Sequence, residues 1–345
     1  MPTDIVPFSD EQLRVSANLE QHYDVWMATQ QALFALPYGM KWKTVSGREY
    51  LYAIADRLGN GRSLGPRSPE TEPQFEQYRI EKAALMQRAT ASAAKLDETC
   101  RLYRALRLPA ITSEAAKILR EADRRQLLGS HLLVVGTNAI PAYLLEAGGR
   151  FDAVPDETDD FDLAWSFAGD EPPADGRPAP VWAMLKAVDS TFTVNTERPF
   201  QARNAKAYEV ELLSAASTIA SMHRQDQPRP IPLPEQEWLL PGTRISHVVV
   251  GRDASPARIV APDPRWFALQ KLWMSAQNKR NPLKRGKDRI QGIALLDAVR
   301  DRMPQFPLDR TFEDSIPQVL RGFYGTWKEQ AGLDGAGSTP SWSTE

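Results

Sequence analysis

Sulfur and imidazole are scarce in this chain, with one cysteine, Cys100, and four histidines among 345 residues. A single cysteine closes no internal disulfide and cannot build a thiolate zinc site. His22, His131, His223 and His247 share no metal-ligand spacing. Long apolar runs are missing too: none approaches the roughly 18 residues of a membrane span. The start, Met1-Pro2-Thr3-Asp4, has neither the basic nor the apolar segment of a secretory leader. Neither sign of charge dominates, with 42 Lys+Arg against 44 Asp+Glu and a formal net charge of −2. That total excludes a histone-like cationic binder but says nothing about local patches. The absences point to a soluble, cytoplasmic protein with no membrane partner. With 42% hydrophobic and 25% charged residues the composition is that of a globular chain, and the length suggests about two or three domains.

What is present is organised by pattern. After a capping Ser9 or Asp10, Leu13, Leu19, Val25, Trp26, Leu33 and Phe34 recur at helical spacing until Pro37 and Gly39 stop the helix. Residues 41–45 and 48–52 flank Ser46-Gly47 and predict a hairpin. The Gly/Pro/Ser-rich stretch 59–69 reads as a loop, followed by helices over 70–106 and 113–128. From His131 an apolar strand runs into Gly136-Thr137, then a helix over 138–147 with Pro141 in its first turn. Further strands are expected at 161–165, 245–250 and 257–260, a helix at 181–188, and a hairpin of 200–203 with 207–213. Helices follow over 265–278 and 287–303, and the Gly/Ser/Thr-rich end reads as a tail. The resulting divisions are a mainly helical region 1–110 with its hairpin near 41–52, a core 111–260, a helical region 261–328 and a flexible tail 329–345.

Chemistry concentrates in the acidic strands. In Asp160-Phe161-Asp162-Leu163-Ala164-Trp165 the period of two puts Asp160 and Asp162 on one face and the apolar residues on the other. Tyr208-Glu209-Val210-Glu211-Leu212 likewise pairs Glu209 with Glu211. An acidic-x-acidic triplet alone carries little, because chance supplies roughly five or six at this composition. The order carries more: apolar strand, Gly-Thr turn, helix, acidic strand, later acidic strand. Were the two acidic strands neighbours, up to four carboxylates would share a face and demand a cation. Oxygen-only ligands suit Mg²⁺ or Mn²⁺, and two such ions stabilise the attacking and leaving oxygens of a phosphoryl displacement. The glycine turn before a helix N-terminus suits a phosphate. Residues 152–162 as a whole hold six acids and no base.

Leu133-Val134-Val135-Gly136-Thr137-Asn138-Ala139, then Thr158-Asp159-Asp160-Phe161-Asp162-Leu163, resembles the nucleotidyltransferase signature of the DNA polymerase β-like superfamily. A wider likeness, to the GSU-type bacterial family of nucleotidyltransferase-fold proteins, takes in residues 47–52, 62–71, 208–212 and 262–273 and so covers most of 40–300. The resemblance implies an α+β fold: a polymerase β-like nucleotidyltransferase core, a mixed sheet flanked by helices, with N-terminal and C-terminal helical regions. It implies transfer of a nucleoside monophosphate from a nucleoside triphosphate such as ATP to a hydroxyl acceptor, with Mg²⁺ (or Mn²⁺) and release of pyrophosphate. Carried over, Asp160 and Asp162 hold the metals, Gly136, Thr137 and Asn138 meet the triphosphate, and Glu211 stands at the third-carboxylate position. The superfamily more often has Asp there, a departure that also motivates the alternative of a catalytically inactive module binding RNA or a partner protein. Glu209 is either an accessory ligand or an exposed strand residue.

Residues 279–289 carry six bases and one acid. They read either as a solvated loop between helices or as a surface for the triphosphate or for a polyanionic acceptor. Lys271, Lys284 and Lys287 are the candidate phosphate-contacting lysines, with Asp288 orienting a base. Arg62 and Arg67 lie in a loop without the P-loop pattern. Trp42, Tyr50 and Tyr52 interleave with Lys41, Lys43 and Arg48, a mixture that either packs the hairpin or stacks nucleobases. RNA (above all a tRNA 3′ end), a protein side chain and a small hydroxylated molecule all stand as acceptors. A toxin or defence role, with an antitoxin as partner, follows by analogy alone.

Overall fold

The computed structural model describes residues 5–151, 160–166 and 180–333. Its first part comprises β1 (Ile5–Pro7), α1 (Asp10–Ala35), β2 (Gly39–Val45), β3 (Arg48–Ile54), β4 (Gly61–Pro66), α2 (Thr71–Ala105), β5 (Ala110–Ile111) and α3 (Ser113–Arg124). The middle holds β6 (Leu132–Val134), a 3-10 turn (Gly136–Ala139), α4 (Ile140–Glu146), β7 (Gly149–Phe151), β8 (Asp160–Trp165) and α5 (Pro180–Val188). It continues with β9 (Thr193–Val194), β10 (Gln201–Arg203), β11 (Glu209–Ser214), β12 (Ile231–Pro232) and α6 (Gln236–Leu239). Last come β13 (Ile245–Gly251), β14 (Pro256–Ala261), α7 (Pro264–Ser275), α8 (Pro282–Arg302), α9 (Arg310–Ser315) and α10 (Gln318–Gln330). The fold is mixed α and β, and no helix among the described residues is long and apolar enough to cross a membrane.

Two compact units divide the chain: one gathers the described residues up to Asp10 with 129–247 and those from 259 onward, the other 11–128 with 248–258. In the larger unit the main sheet runs β6-β8-β11-β10-β9, with β12 alongside β11. β8 is parallel to β11 and antiparallel to β6. The apolar alternates of the central strands, Phe161, Leu163, Val210 and Leu212, are buried, as the period of two requires. Asp263 and Asn281 cap α7 and α8, each followed by a proline that fixes the first helical φ. At Gly292 of α8 a Cβ would stand 2.9 Å from the Ala268 carbonyl oxygen of α7, so glycine sets how closely these helices approach. The Trp327 indole of α10 donates to Asp297 of α8 at 3.0 Å.

In the smaller unit, Val15, Leu19, Tyr23 and Met27 of α1 are buried, and the Tyr23 hydroxyl donates to Asp123 of α3 at 2.9 Å. β2, β3 and β4 form an antiparallel sheet. Cys100 is buried in α2, where burial pushes its thiol up to about 12, an inert packing residue.

Several boundaries differ from the sequence pattern. The stretch read as a loop over 59–69 contains β4, whose glycines, serine and proline mask a strand that gains its regularity by pairing with β3. Most of the basic segment is helix: Asn281 and Pro282 start α8, so residues 282–289 lie on it, while Lys279 and Arg280 stay in the turn after α7, which stops at Ser275; α3 stops at Arg124. Gly136-Thr137 opens a 3-10 turn rather than leading directly into the helix, and α9 and α10 extend the helical pattern beyond residue 303. The acids at 152, 156, 157 and 159 and the tail beyond 333 lie outside the described residues.

Candidate active site

The parallel register of β8 and β11 sets Asp160 opposite Glu209 and Asp162 opposite Glu211. Since side chains alternate, these four acids share the sheet face opposite Phe161 and Val210. Beside them, Val135 donates its N–H to the Asp162 carbonyl at 3.1 Å, and the Asn138 amide donates to the Asp160 carbonyl at 2.8 Å. The Gly-Thr turn is thereby laced to the acidic strand. Gly136 has φ +67°, and a Cβ on it would fall 2.1 Å from Asp162 Oδ2. Both its conformation and its contact with the carboxylate exclude a side chain.

A cavity of about 310 Å³ opens over this face. Gly136, Thr137, Asp160, Asp162 and Glu211 line it on the sheet side, and Lys271, Arg280, Lys284 and Lys287 on the helical side. The helical periodicity of α8 selects which of the basic residues arrive there. Lys284 donates to Asp160 Oδ2 at 2.6 Å. Lys271, almost wholly buried, donates to Asp288 Oδ1 at 2.9 Å, and Arg280 donates to the other oxygen, Oδ2, at 2.8 Å. Asp288 thus holds two cations at the cavity wall.

Burial pushes the Asp162 carboxyl up to about 7; Glu211 and Asp160 add to the rise, and Lys271 and Lys284 oppose it. Burial lowers Lys271, against the pull of Asp288 and Asp162. Burial also raises Glu235 at the cavity rim.

Of the residues singled out by sequence, the fold brings Gly136, Thr137, Asp160, Asp162, Glu211, Lys271, Lys284 and Lys287 to one cavity. Asn138 is not in its lining; its side chain is spent on the β8 backbone. Glu209 is turned to Arg203 of β10, with which it forms an ion pair. Gln201, whose residue type alone marks no site, donates its amide to Glu211 Oε1 at 2.5 Å from the opposing register position on β10. The hairpin about Asn204 carried that signal, since it brings the two strands together. Arg280 stood in the basic run, but its bond to Asp288 could not be read from spacing alone.

Among the described residues, no three acidic, imidazole or thiol groups stand close enough together to enclose a metal ion. The donor set that is present, Asp160 and Asp162 with Glu211 alongside, fits a hard divalent cation that takes one or two carboxylates from the protein and the rest of its shell from phosphate oxygens and water. The elevated Asp162 carboxyl, with two acids raising it further, is the electrostatic mark of a place where added positive charge would be stabilising. Cations on one wall and acids on the other suit a polyphosphate carrying a metal.

Residues 113–317 match a family model described as nucleotidyltransferase. No curated protein and no solved structure matches the chain.

Proposed function

Because the chain belongs to the nucleotidyltransferase family, we propose that it moves a nucleoside monophosphate from a nucleoside triphosphate to a hydroxyl acceptor, using Mg²⁺ or Mn²⁺ and releasing pyrophosphate. The observation that carries this reading is the paired register of the acidic strands beneath a cation-walled cavity. It also supports assigning the main sheet to a polymerase β-like core of the GSU-type family. Asp160 and Asp162 would hold the ion, with Glu211 at the third position. A divalent ion bound there would neutralise triphosphate charge and acidify the acceptor hydroxyl.

The chain's own residues supply the rest. Gly136 lets the backbone of the turn approach the triphosphate, and Thr137 offers a hydroxyl to a phosphate oxygen. Lys284 and Lys287 neutralise the departing pyrophosphate, while Lys271 and Arg280, fixed by Asp288, set the potential of the wall. The acceptor oxygen forms a bond to the α-phosphorus as the bond from that phosphorus to the β-bridging oxygen breaks. The hydroxyl proton passes to a carboxylate of the acidic face, for which Glu211, oriented by Gln201, is the candidate. An RNA end, a protein hydroxyl and a small hydroxylated compound all satisfy this chemistry. A nucleotide-rich cytoplasm, where Cys100 stays reduced, suits the reaction.

The test incubates protein, Mg²⁺ and α-labelled nucleoside triphosphates with RNA, with protein extract and with small hydroxyl compounds. Label should pass to one pool and vanish with Asp160→Asn plus Asp162→Asn. No transfer to any pool, or transfer indifferent to the double substitution, overturns the reading. A second reading, an inactive module, draws on Lys284 occupying Asp160 and Gln201 occupying Glu211. Under it the double variant would keep full biological activity.

A further inference from the structure

The sheet of β2, β3 and β4 has two unlike faces. Trp42 pairs with Leu51 and Thr44 with Glu49, and α2 lies on their side: the Phe75 ring meets Trp42 at 5.8 Å. There Arg67 lies over Trp42 and bonds both Glu49 at 2.8 Å and Glu72 at 2.7 Å. The opposite face carries the pairs Lys41 with Tyr52, Lys43 with Tyr50, and Val45 with Arg48. Lys41, Val45 and Arg48 are exposed, and Lys43, Tyr50 and Tyr52 half-buried. Glu49 is the single acid of the three strands, and it sits on the other face. Among the described residues no carboxylate pairs with Lys41, Lys43 or Arg48, and neither tyrosine hydroxyl is hydrogen-bonded. Lys43 Nζ lies 4.5 Å from the centre of the Tyr52 ring.

We infer that this face binds single-stranded RNA. Three cations without a counter-charge beside two half-open aromatic rings match the chemistry of a strand that offers phosphates and unstacked bases together. Tyr50 and Tyr52 are two residues apart on one strand face, a backbone rise of about 6.8 Å, roughly twice the 3.4 Å step of a duplex strand. Bases must separate to stack on both rings, which selects a single strand over a duplex. Lys41, Lys43 and Arg48 take the phosphates, and the unengaged tyrosine hydroxyls reach ribose 2′-hydroxyls, the group that marks RNA. The inference concerns binding and stands apart from the transfer reaction proposed above.

The experiment titrates the full chain against a fluorescent twelve-nucleotide uridine RNA by anisotropy, with chelator present and no nucleoside triphosphate. Binding should weaken with salt at a log–log slope near −2, as expected for about three phosphates of a single strand. Tyr50→Ala with Tyr52→Ala should lower affinity by about tenfold or more. Tyr50→Phe with Tyr52→Phe should keep most of the affinity and lose the preference over the matched DNA, which guards against a merely misfolded alanine variant. Lys41→Ala, Lys43→Ala and Arg48→Ala combined should flatten the salt slope. With no divalent ion and no nucleoside triphosphate in the titration, binding is read without the transfer reaction, so its outcome separates from any failure of the transferase reading. The inference is overturned if the parent binds no RNA, or if the tyrosine variants bind as it does. Equal binding of matched DNA, equal binding of duplex, or equal competition by polyglutamate also overturns it.

Discussion

Replacing Asp162 by asparagine should make the metal-free protein more stable at alkaline pH while removing its response to divalent ions. The carboxyl is raised from its usual 3.8 to about 7, so the folded chain holds a proton that the unfolded chain has already released. Stability from this group is therefore full below about pH 4 and is lost as pH rises to and through 7. Converted directly, that displacement is about 4 kcal/mol, at 1.36 kcal/mol for each tenfold. The cavity is open to water and its lysines share the field, and screening brings the figure to about 1–2 kcal/mol. For a unit of this size the gain should appear as roughly 2–8 °C in Tm at pH 8. Asparagine keeps the shape and cannot ionise, so the difference between variant and parent should vanish below about pH 4 and grow as pH rises to 7. The assay is a set of thermal melts at stepped pH, with chelator and with Mg²⁺ plus nucleoside triphosphate. The parent should gain Tm from the ligands and the variant should not. A variant less stable than the parent at pH 8, or a difference independent of pH, would refute the reasoning.

Gly136→Ala combines a left-handed backbone with a Cβ 2.1 Å from Asp162 Oδ2, and should cost about 3 kcal/mol in a urea melt; a loss below about 0.5 kcal/mol would show that the turn relaxes freely. Asp288→Ala strips the shared partner from Lys271 and Arg280 and should cost about 3–5 kcal/mol, because it leaves a buried ammonium unpaired. Asp288→Asn, which retains an oxygen acceptor, should cost less in the same melt; equal costs would count against the ion-pair account.

The acidic strand was legible because period-two alternation is a local rule: Phe161 and Leu163 had to face the core, so Asp160 and Asp162 had to face away. That it lies parallel to β11, two residues in register with Glu209 and Glu211, is a long-range outcome that alternation permits without dictating. The Ser46-Gly47 hairpin was legible for the same local reason, and β4 was not, since its composition of glycine, serine and proline resembles a loop until a neighbouring strand supplies its hydrogen bonds. The start of α8 is written in Asn281 and Pro282, an N-cap and a first-turn proline, whereas the density of charge around them is equally that of a solvated loop. Lys271 and Asp288 sit on different helices, and their meeting depends on the close approach at Gly292, which no spacing rule reveals. Sequence also could not tell that Asn138 and Glu209 would be taken up by Asp160's backbone and by Arg203.

The pairing of β1 with β7 gives the ends of the chain a bearing on its catalytic body. Ile5, Val6 and Pro7 lie against Phe151, Arg150 and Gly149, so close that a Cβ on Gly149 would meet Ile5 at 2.6 Å. At the other end, Trp327 supplies the bond to Asp297 from beyond the stretch that matches the family model. The segment by which the family is recognised is thus shorter than the body that must fold. Trimmed to residues 113–317, the protein would carry an open strand edge at β7 and a buried carboxylate at Asp297 without its indole partner. Recognisability and self-sufficiency have different borders in this molecule, and the outermost residues belong to the second.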